Sequence, residues 1–333
     1  MIIIMRVSFM YGGKVFLCSL SFVLGIAGLY VMQVWWRDWT ACNEKMYDLL
    51  NPHLPCGTAI QRGEWNYEPL RDLLTAKKAE LKAAKKVSHI SIYFRDLYNG
   101  PRFGIGEYDQ FQPASLIKVP VMIAFLHEAD SNPSLLNQKL VYTGVLDTHQ
   151  NLEESDETIQ PDIPYTVYEL IRRMIVFSDN YASYLLVREL NHESKLLAYY
   201  TFRDLNILSM MLAPMADHVS IQEYATLFAV LHNTGYLSKE MSQLALEILS
   251  QSTFKGALVA GVPEGIRVAH KFGYRMLSKH ESQLHDCGIV YHPATAYVLC
   301  VMTSGTDLHT EKSVIAEVSR MVYDSVSSLN LAY

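Results

Sequence analysis

Residues 113–118, Pro113-Ala114-Ser115-Leu116-Ile117-Lys118, run directly into the uninterrupted apolar stretch Val119 to Leu126. A serine placed ahead of such a stretch opens a buried helix. Positions three apart share a helical face, so the Lys118 amine is expected to reach the Ser115 hydroxyl. Burial disfavours the ammonium form and lowers its pKa until the neutral amine can accept a proton. The helix N-terminus also sets backbone N–H groups beside the serine, where an oxyanion would form. Alone, this spacing is common. Ser252-Thr253-Phe254-Lys255 repeats it, and a serine at such a place is first of all a helix cap.

Two other short segments change its weight. Ser178-Asp179-Asn180 lies between two apolar helical stretches. Its plain role is to cap the helix from Tyr181 to Leu190; its chemical role would be a proton relay through Ser178 and an amide contact from Asn180. Lys271-Phe272-Gly273 ends a β-like run. A strand lysine beside a nucleophile can hold a carboxylate, and a glycine there lets a substrate backbone approach closely. The alternative is an ordinary edge-strand lysine followed by a bulge glycine.

The surrounding periodicities place these segments on definite elements. Tyr67 to Lys86 has Leu70, Leu73, Leu74 and Leu81 at helical spacing, with a cluster of lysines mostly on the other side that reads as a solvated face. His89 to Leu97 and Phe103 to Tyr108, joined through Asn99-Gly100-Pro101, read as a β-hairpin. From Ser115 to Ser250 the spacing is mostly helical, over Val167 to Phe177, Tyr181 to Leu190, Ile221 to Leu231 and Glu240 to Leu249. Strand character returns in Ile266 to Phe272, Cys287 to Tyr291 and Tyr297 to Met302, and an amphipathic helix from Glu311 to Ser327 closes the chain. Two strands, a helical middle, three strands and a last helix predict an α+β fold, with an antiparallel five-stranded sheet flanked by helices and an inserted all-helical lobe.

Of the 333 residues, 50% are hydrophobic, and Asp plus Glu exceed Lys plus Arg by 34 to 28, for a net charge of -6. This balance repels a phosphate backbone, so no nucleic-acid partner is expected. No charge interrupts Val15 to Trp36, a run long enough to cross about 30 Å of hydrocarbon as a helix. Arg6 and Lys14 precede it, and Trp35, Trp36 and Trp39 resemble an interfacial belt. The sequence thus predicts a cytoplasmic N-terminus over 1–14, a transmembrane anchor over 15–36, a linker over 37–66 and a domain over 67–333 on the extracytoplasmic side of the cytoplasmic membrane. A cleaved signal peptide, or a lipoprotein signal ending at Cys42, fits the length of the run less well.

The order S-x-x-K, S-D-N, K-x-G resembles the class A β-lactamase and penicillin-binding superfamily. The resemblance covers Tyr67 to the C-terminus. It implies that Ser115 attacks an acyl carbonyl, Lys118 takes its proton, and Ser178 and Asn180 relay and orient. Lys271 would shape the field and anchor an anion, Gly273 would admit the substrate, and the N–H groups of Ser115 and Tyr274 would form the oxyanion hole. The implied substrate is a β-lactam or a peptidoglycan stem peptide, without a cofactor. The alternative is a non-catalytic cell-wall-binding module that keeps the fold.

Two departures from the family pattern stand out. Phe272 occupies the place of a Thr or Ser whose hydroxyl holds the substrate carboxylate. The segment Leu205 to Pro214, where class A enzymes carry a water-activating glutamate, has no acid. Asp217 and Glu223 come next, and Glu223 reads as part of the following helix. Slow deacylation is therefore expected, as in penicillin-binding proteins. His280, His285 and Asp286 match no usual metal spacing, so no metal is expected and His285 with Asp286 reads as a hydrogen-bonded pair. Cys42 and Cys56 either pair or stay as thiols in the linker, whereas Cys287 and Cys300, facing each other across the last hairpin, read as buried thiols.

Overall fold

The structure, a computed structural model, describes residues 28–33, 47–52, 65–98, 101–144, 158–193, 201–207 and 218–329. Contacts divide the chain into two units. One comprises Leu49–Asn51 with Gln61–Tyr333; the other, Met1–Asp48 with Pro52–Ile60, is described only at 28–33, 47, 48 and 52. The Cys42–Cys56 alternative lies outside the described residues, as does all of the expected anchor except residues 28–33. No helix among the described residues is long and apolar enough to cross a membrane.

Helix α1 (Glu68–Ala83) begins with a proline in its first turn, where the missing N–H costs nothing, and buries Leu70, Leu74 and Leu81. Its lysines face outward or pair: Lys77 meets Glu80 at 2.8 Å and Glu317 at 2.6 Å. Strands β1 (His89–Asp96) and β2 (Arg102–Ile105) form the predicted hairpin. Strands β3 (Val268–Ser278), β4 (Glu281–Tyr291) and β5 (Ala296–Gly305) complete an antiparallel sheet in the order β2-β1-β5-β4-β3. The pairing of β1 with β5 sets the first strand beside the last, and β3, which carries Lys271 and Gly273, becomes an edge.

Helix α7 (Leu308–Leu329) and α1 cover one face of the sheet over a core that includes Leu74, Phe94, Tyr297, Val301, Ile315 and Val322. The opposite face meets the 3-10 turn Ala114–Ile117 and helix α5 (Ile221–His232). Helices α2 (Lys118–Ser131), α3 (Val167–Val176), α4 (Asn180–Glu193) and α6 (Lys239–Ser250) pack on one another as the helical lobe. Capping boxes start α3, through Thr166 and Glu169, and α5, through Ser220 and Glu223. Glu223 is thus a capping residue, in line with its assignment to the helix.

The tertiary structure corrects three expectations. Cys287 and Cys300 are directly opposed on β4 and β5 with Cα atoms 4.0 Å apart, and they form a disulfide rather than two thiols. His285 does not pair with Asp286, because adjacent strand residues point to opposite faces. Asp286 instead binds His270 Nδ1 at 2.8 Å, and the His285 ring bonds the Gln112 carbonyl at 3.0 Å. Third, part of the expected linker is docked on the domain. Leu49 and Leu50 are buried; Leu49 N–H donates to Gln243 Oε1, its carbonyl accepts from Tyr291, and Asn51 N–H donates to the His232 carbonyl.

Candidate active site

Ser115 sits in the 3-10 turn that leads without a break into α2, whose first residue is Lys118. In such a turn residues i and i+3 eclipse, so serine and lysine are stacked one turn apart. Ala114, just before the serine, has φ 47°, in the left-handed region that a side chain adopts at a cost. The turn is held from both sides: Leu116 N–H donates to the Pro113 carbonyl at 2.9 Å, and the buried Tyr224 hydroxyl donates to the Leu116 carbonyl at 3.1 Å.

The loop 178–180 closes over Lys118. Its amine donates to the Ser178 carbonyl at 2.6 Å, the Ser178 hydroxyl at 3.1 Å and Asn180 Oδ1 at 2.7 Å. Ser178 has φ 56°, which turns its carbonyl and hydroxyl together toward the amine. Asp179 points the other way and does the capping. Its carboxylate accepts from the N–H groups of Tyr181 and Ala182 at the start of α4 and from Ile159 N–H. The cap reading and the chemical reading of this triplet are therefore divided among its residues.

Lys271 is fully buried and donates to the Ser178 hydroxyl at 3.0 Å and to the Phe272 carbonyl at 2.9 Å. Gly273 lies against the serine turn: a Cβ there would stand 2.8 Å from the Pro113 carbonyl oxygen and 3.0 Å from Leu116 Cγ. Ser178 is thus shared by two lysines, and β3 touches the turn bearing Ser115. The structure brings together the segments of all seven residues singled out above, Ser115, Lys118, Ser178, Asn180, Lys271, Gly273 and Tyr274.

Two buried amines so close oppose each other's charge. Burial lowers the Lys118 pKa to about 7, against a partial upward pull from Asp179. Lys271 is pushed well below the lysine range, by burial first and by Lys118 second, with Asp286 opposing. An uncharged amine one turn from a serine, next to a shared hydroxyl, can accept the serine proton and pass it on. Among the described residues no cluster of His, Cys, Asp and Glu could hold a metal ion.

Phe272 departs from the family pattern in a definite way. Its ring stacks on Phe254, with centroids 4.0 Å apart and 18° between planes, and the Lys271 amine lies 4.0 Å from its centroid. Tyr224, which holds the serine turn, Phe254 under Phe272 and Gln112, whose carbonyl bonds His285 beside Gly273, were not evident as contributors from sequence. Nothing in their local patterns marks them, since each acts across a long chain separation.

The fold and site define a protein class: a serine one helical turn from a buried lysine, on an α+β domain with a helical lobe. The chain belongs to the beta-lactamase enzyme family, whose model matches residues 73–326, and it is a serine hydrolase. Among solved structures it is similar to PBP-A (TM-score 0.66, 22% identity, 80% of this chain and 99% of that one). A PBP-A variant solved as an acyl-enzyme complex with penicillin G is similar at TM-score 0.64 and 23% identity, over 77% of this chain and 97% of that one. A class A β-lactamase from Mycobacterium abscessus gives 0.62 and 21%, over 76% and 99%. At these identities the likeness speaks for the fold. No protein with curated function matches the sequence.

Proposed function

We propose that this protein is a membrane-anchored acyl-transferring serine hydrolase that forms an acyl-enzyme at Ser115 with a β-lactam or a peptidoglycan stem peptide. The observation that carries the reading is the Lys118 amine, buried and bonded to both Ser178 and Asn180. The neutral amine takes the Ser115 proton as Oγ attacks the carbonyl, and the oxyanion forms at the N–H groups of Ser115 and Tyr274. The C–N bond then breaks, and the leaving nitrogen receives a proton through Ser178, leaving an ester on Ser115. Water or an acceptor amine takes the acyl group in the second step. With no acid in Leu205 to Pro214 to activate water, the ester is long-lived and transfer to an amine competes with hydrolysis. The penicillin acyl-enzyme of the similar PBP-A variant supports this choice of substrate class.

The anchor rests on the uncharged run Val15 to Trp36. Leu29, Tyr30, Val31 and Met32, within the described helical piece 28–33, are all well exposed, as lipid-facing residues would be. The expected outcome is recovery of the full chain with membranes and release of the domain when residues 1–36 are deleted; a soluble full chain defeats the anchor.

The acyl-enzyme is tested by intact mass over time with penicillin G and with penicillin G methyl ester. A covalent adduct that persists after excess reagent is removed, and is absent in Ser115→Ala, is expected. No adduct from either compound rejects an acyl-enzyme at Ser115 with a β-lactam.

A further inference from the structure

The side of the site that receives the leaving group is fixed by Ser178, because the hydroxyl that hands over the proton must face the departing nitrogen. Lys271 bonds that same hydroxyl at 3.0 Å, so whatever follows the scissile bond lies toward Lys271, Phe272 and Gly273. This corner would have to recognise a free carboxylate, and its groups are otherwise engaged. Lys271 is 0% exposed, and its amine lies 4.0 Å from the centroid of its neighbour's ring in addition to its bonds to Ser178 and the Phe272 carbonyl. Lys118 is similarly enclosed by Ser178 and Asn180. The Ser178 hydroxyl already lies within bonding distance of both amines.

Phe272 brings no hydroxyl and is only 6% exposed, packed in the core cluster on Phe254. A carboxylate entering here would lose its water without gaining a paired charge from Lys118, Lys271 or Phe272, a cost that an amide or ester avoids. The low pKa of Lys271, caused by burial and by Lys118, works in the same direction.

We infer that the acyl donor selected by this site carries an uncharged group beyond the scissile bond, an amide or ester rather than a free carboxylate, so that its natural substrate is a peptide bond internal to a longer, amidated or cross-linked peptide. The inference rests on the acyl-enzyme reading above, with Phe272 as the residue that sets specificity. Its rival is Arg275, exposed and on the same strand face as Lys271 and Gly273, as an alternative anchor for an anion.

The test is the second-order rate of acylation of the full chain by penicillin G and by its methyl ester, read by intact mass, with a D-Ala-D-Ala peptide and its C-terminal carboxamide as a second pair. Wild type is expected to react with ester and carboxamide at least as fast as with the free acids. Phe272→Thr is expected to shift the ratio about tenfold toward the acids, the size of one restored charge-assisted contact. A wild-type preference for the free acids overturns the inference, and its loss in Arg275→Ala would assign the anchor to Arg275. The wild-type ratio decides the matter even if Phe272→Thr does not fold. No adduct from any of the compounds instead removes the acyl-enzyme reading, and this inference with it.

Discussion

Lys118 is asked to do work that an ordinary lysine, charged at neutral pH, cannot do. Enclosure on all sides lowers its pKa from 10.5 to about 7, so the basic form is abundant at neutral pH. The acylation rate is therefore expected to rise tenfold per pH unit below about 7 and to level off above it. Single-turnover acylation across this range checks the assignment, and a flat profile excludes Lys118 as the base. The same burial has a cost in stability. A lysine with a folded-state pKa below its unfolded value binds more protons when unfolded in the window between the two, so stability rises with pH from about 7 to about 10.5 and the penalty is fully present below about 7. Lys118→Met is expected to abolish acylation, to stabilise the domain at neutral pH and to weaken this pH dependence, the share that belongs to buried Lys271 remaining. Denaturant unfolding of both proteins at several pH values reads the difference.

Among the elements, β3 is the one whose placement makes the site. As an edge strand it leaves its far side open while Gly273 presses on the serine turn. A Cβ at 273 would come 2.8 Å from the Pro113 carbonyl oxygen and 3.2 Å from Leu116 N, both backbone atoms that cannot swing aside. Gly273→Ala should push β3 away from Ser115 and reduce acylation by at least about tenfold, because displacements near 1 Å cost on the order of a hundredfold in positioned chemistry. Thermal unfolding of the same variant should move far less than activity. Equal losses of both would make the glycine a packing residue only.

At the level of the whole molecule, the sheet is tied together by contacts between distant parts of the chain. The Cys287–Cys300 bond joins the two strands between β3 and β1, in register with Lys271 on one side and Tyr93 on the other. Closing a loop of this length stabilises by about 2–4 kcal/mol, so a double Cys→Ala variant should unfold at a clearly lower denaturant midpoint than wild type, and an unchanged midpoint would show that the bond contributes nothing. Leu49 is 1% exposed and held through its backbone by Gln243 and Tyr291, while Asn51 two residues on bonds the His232 carbonyl. Leu49→Ala is expected to cost about 2–5 kcal/mol in chemical denaturation. A truncation that starts the domain at Tyr67 should lose at least as much, and equal stability of the two forms would show the docking to be passive.

The identity of the elements and the nature of the site were written in local sequence. Apolar spacing marked α1 and the helical lobe, and Ser115 with Lys118, Ser178 with Asn180 and Lys271 with Gly273 were legible because each role needs a particular side chain at a particular step of a helix, loop or strand. The outer end of β3 was not, since Arg275, Met276, Leu277 and Ser278 are all exposed and lack the alternation that reveals a half-buried strand. What joins residues far apart in the chain was decided in three dimensions. Lys271 and Lys118 share one hydroxyl, His270 rather than His285 takes Asp286, Cys287 bonds Cys300, and Phe272 rests on Phe254. Periodicity fixes which face a residue shows, whereas its partner depends on strand register and layer packing, which only the folded chain supplies.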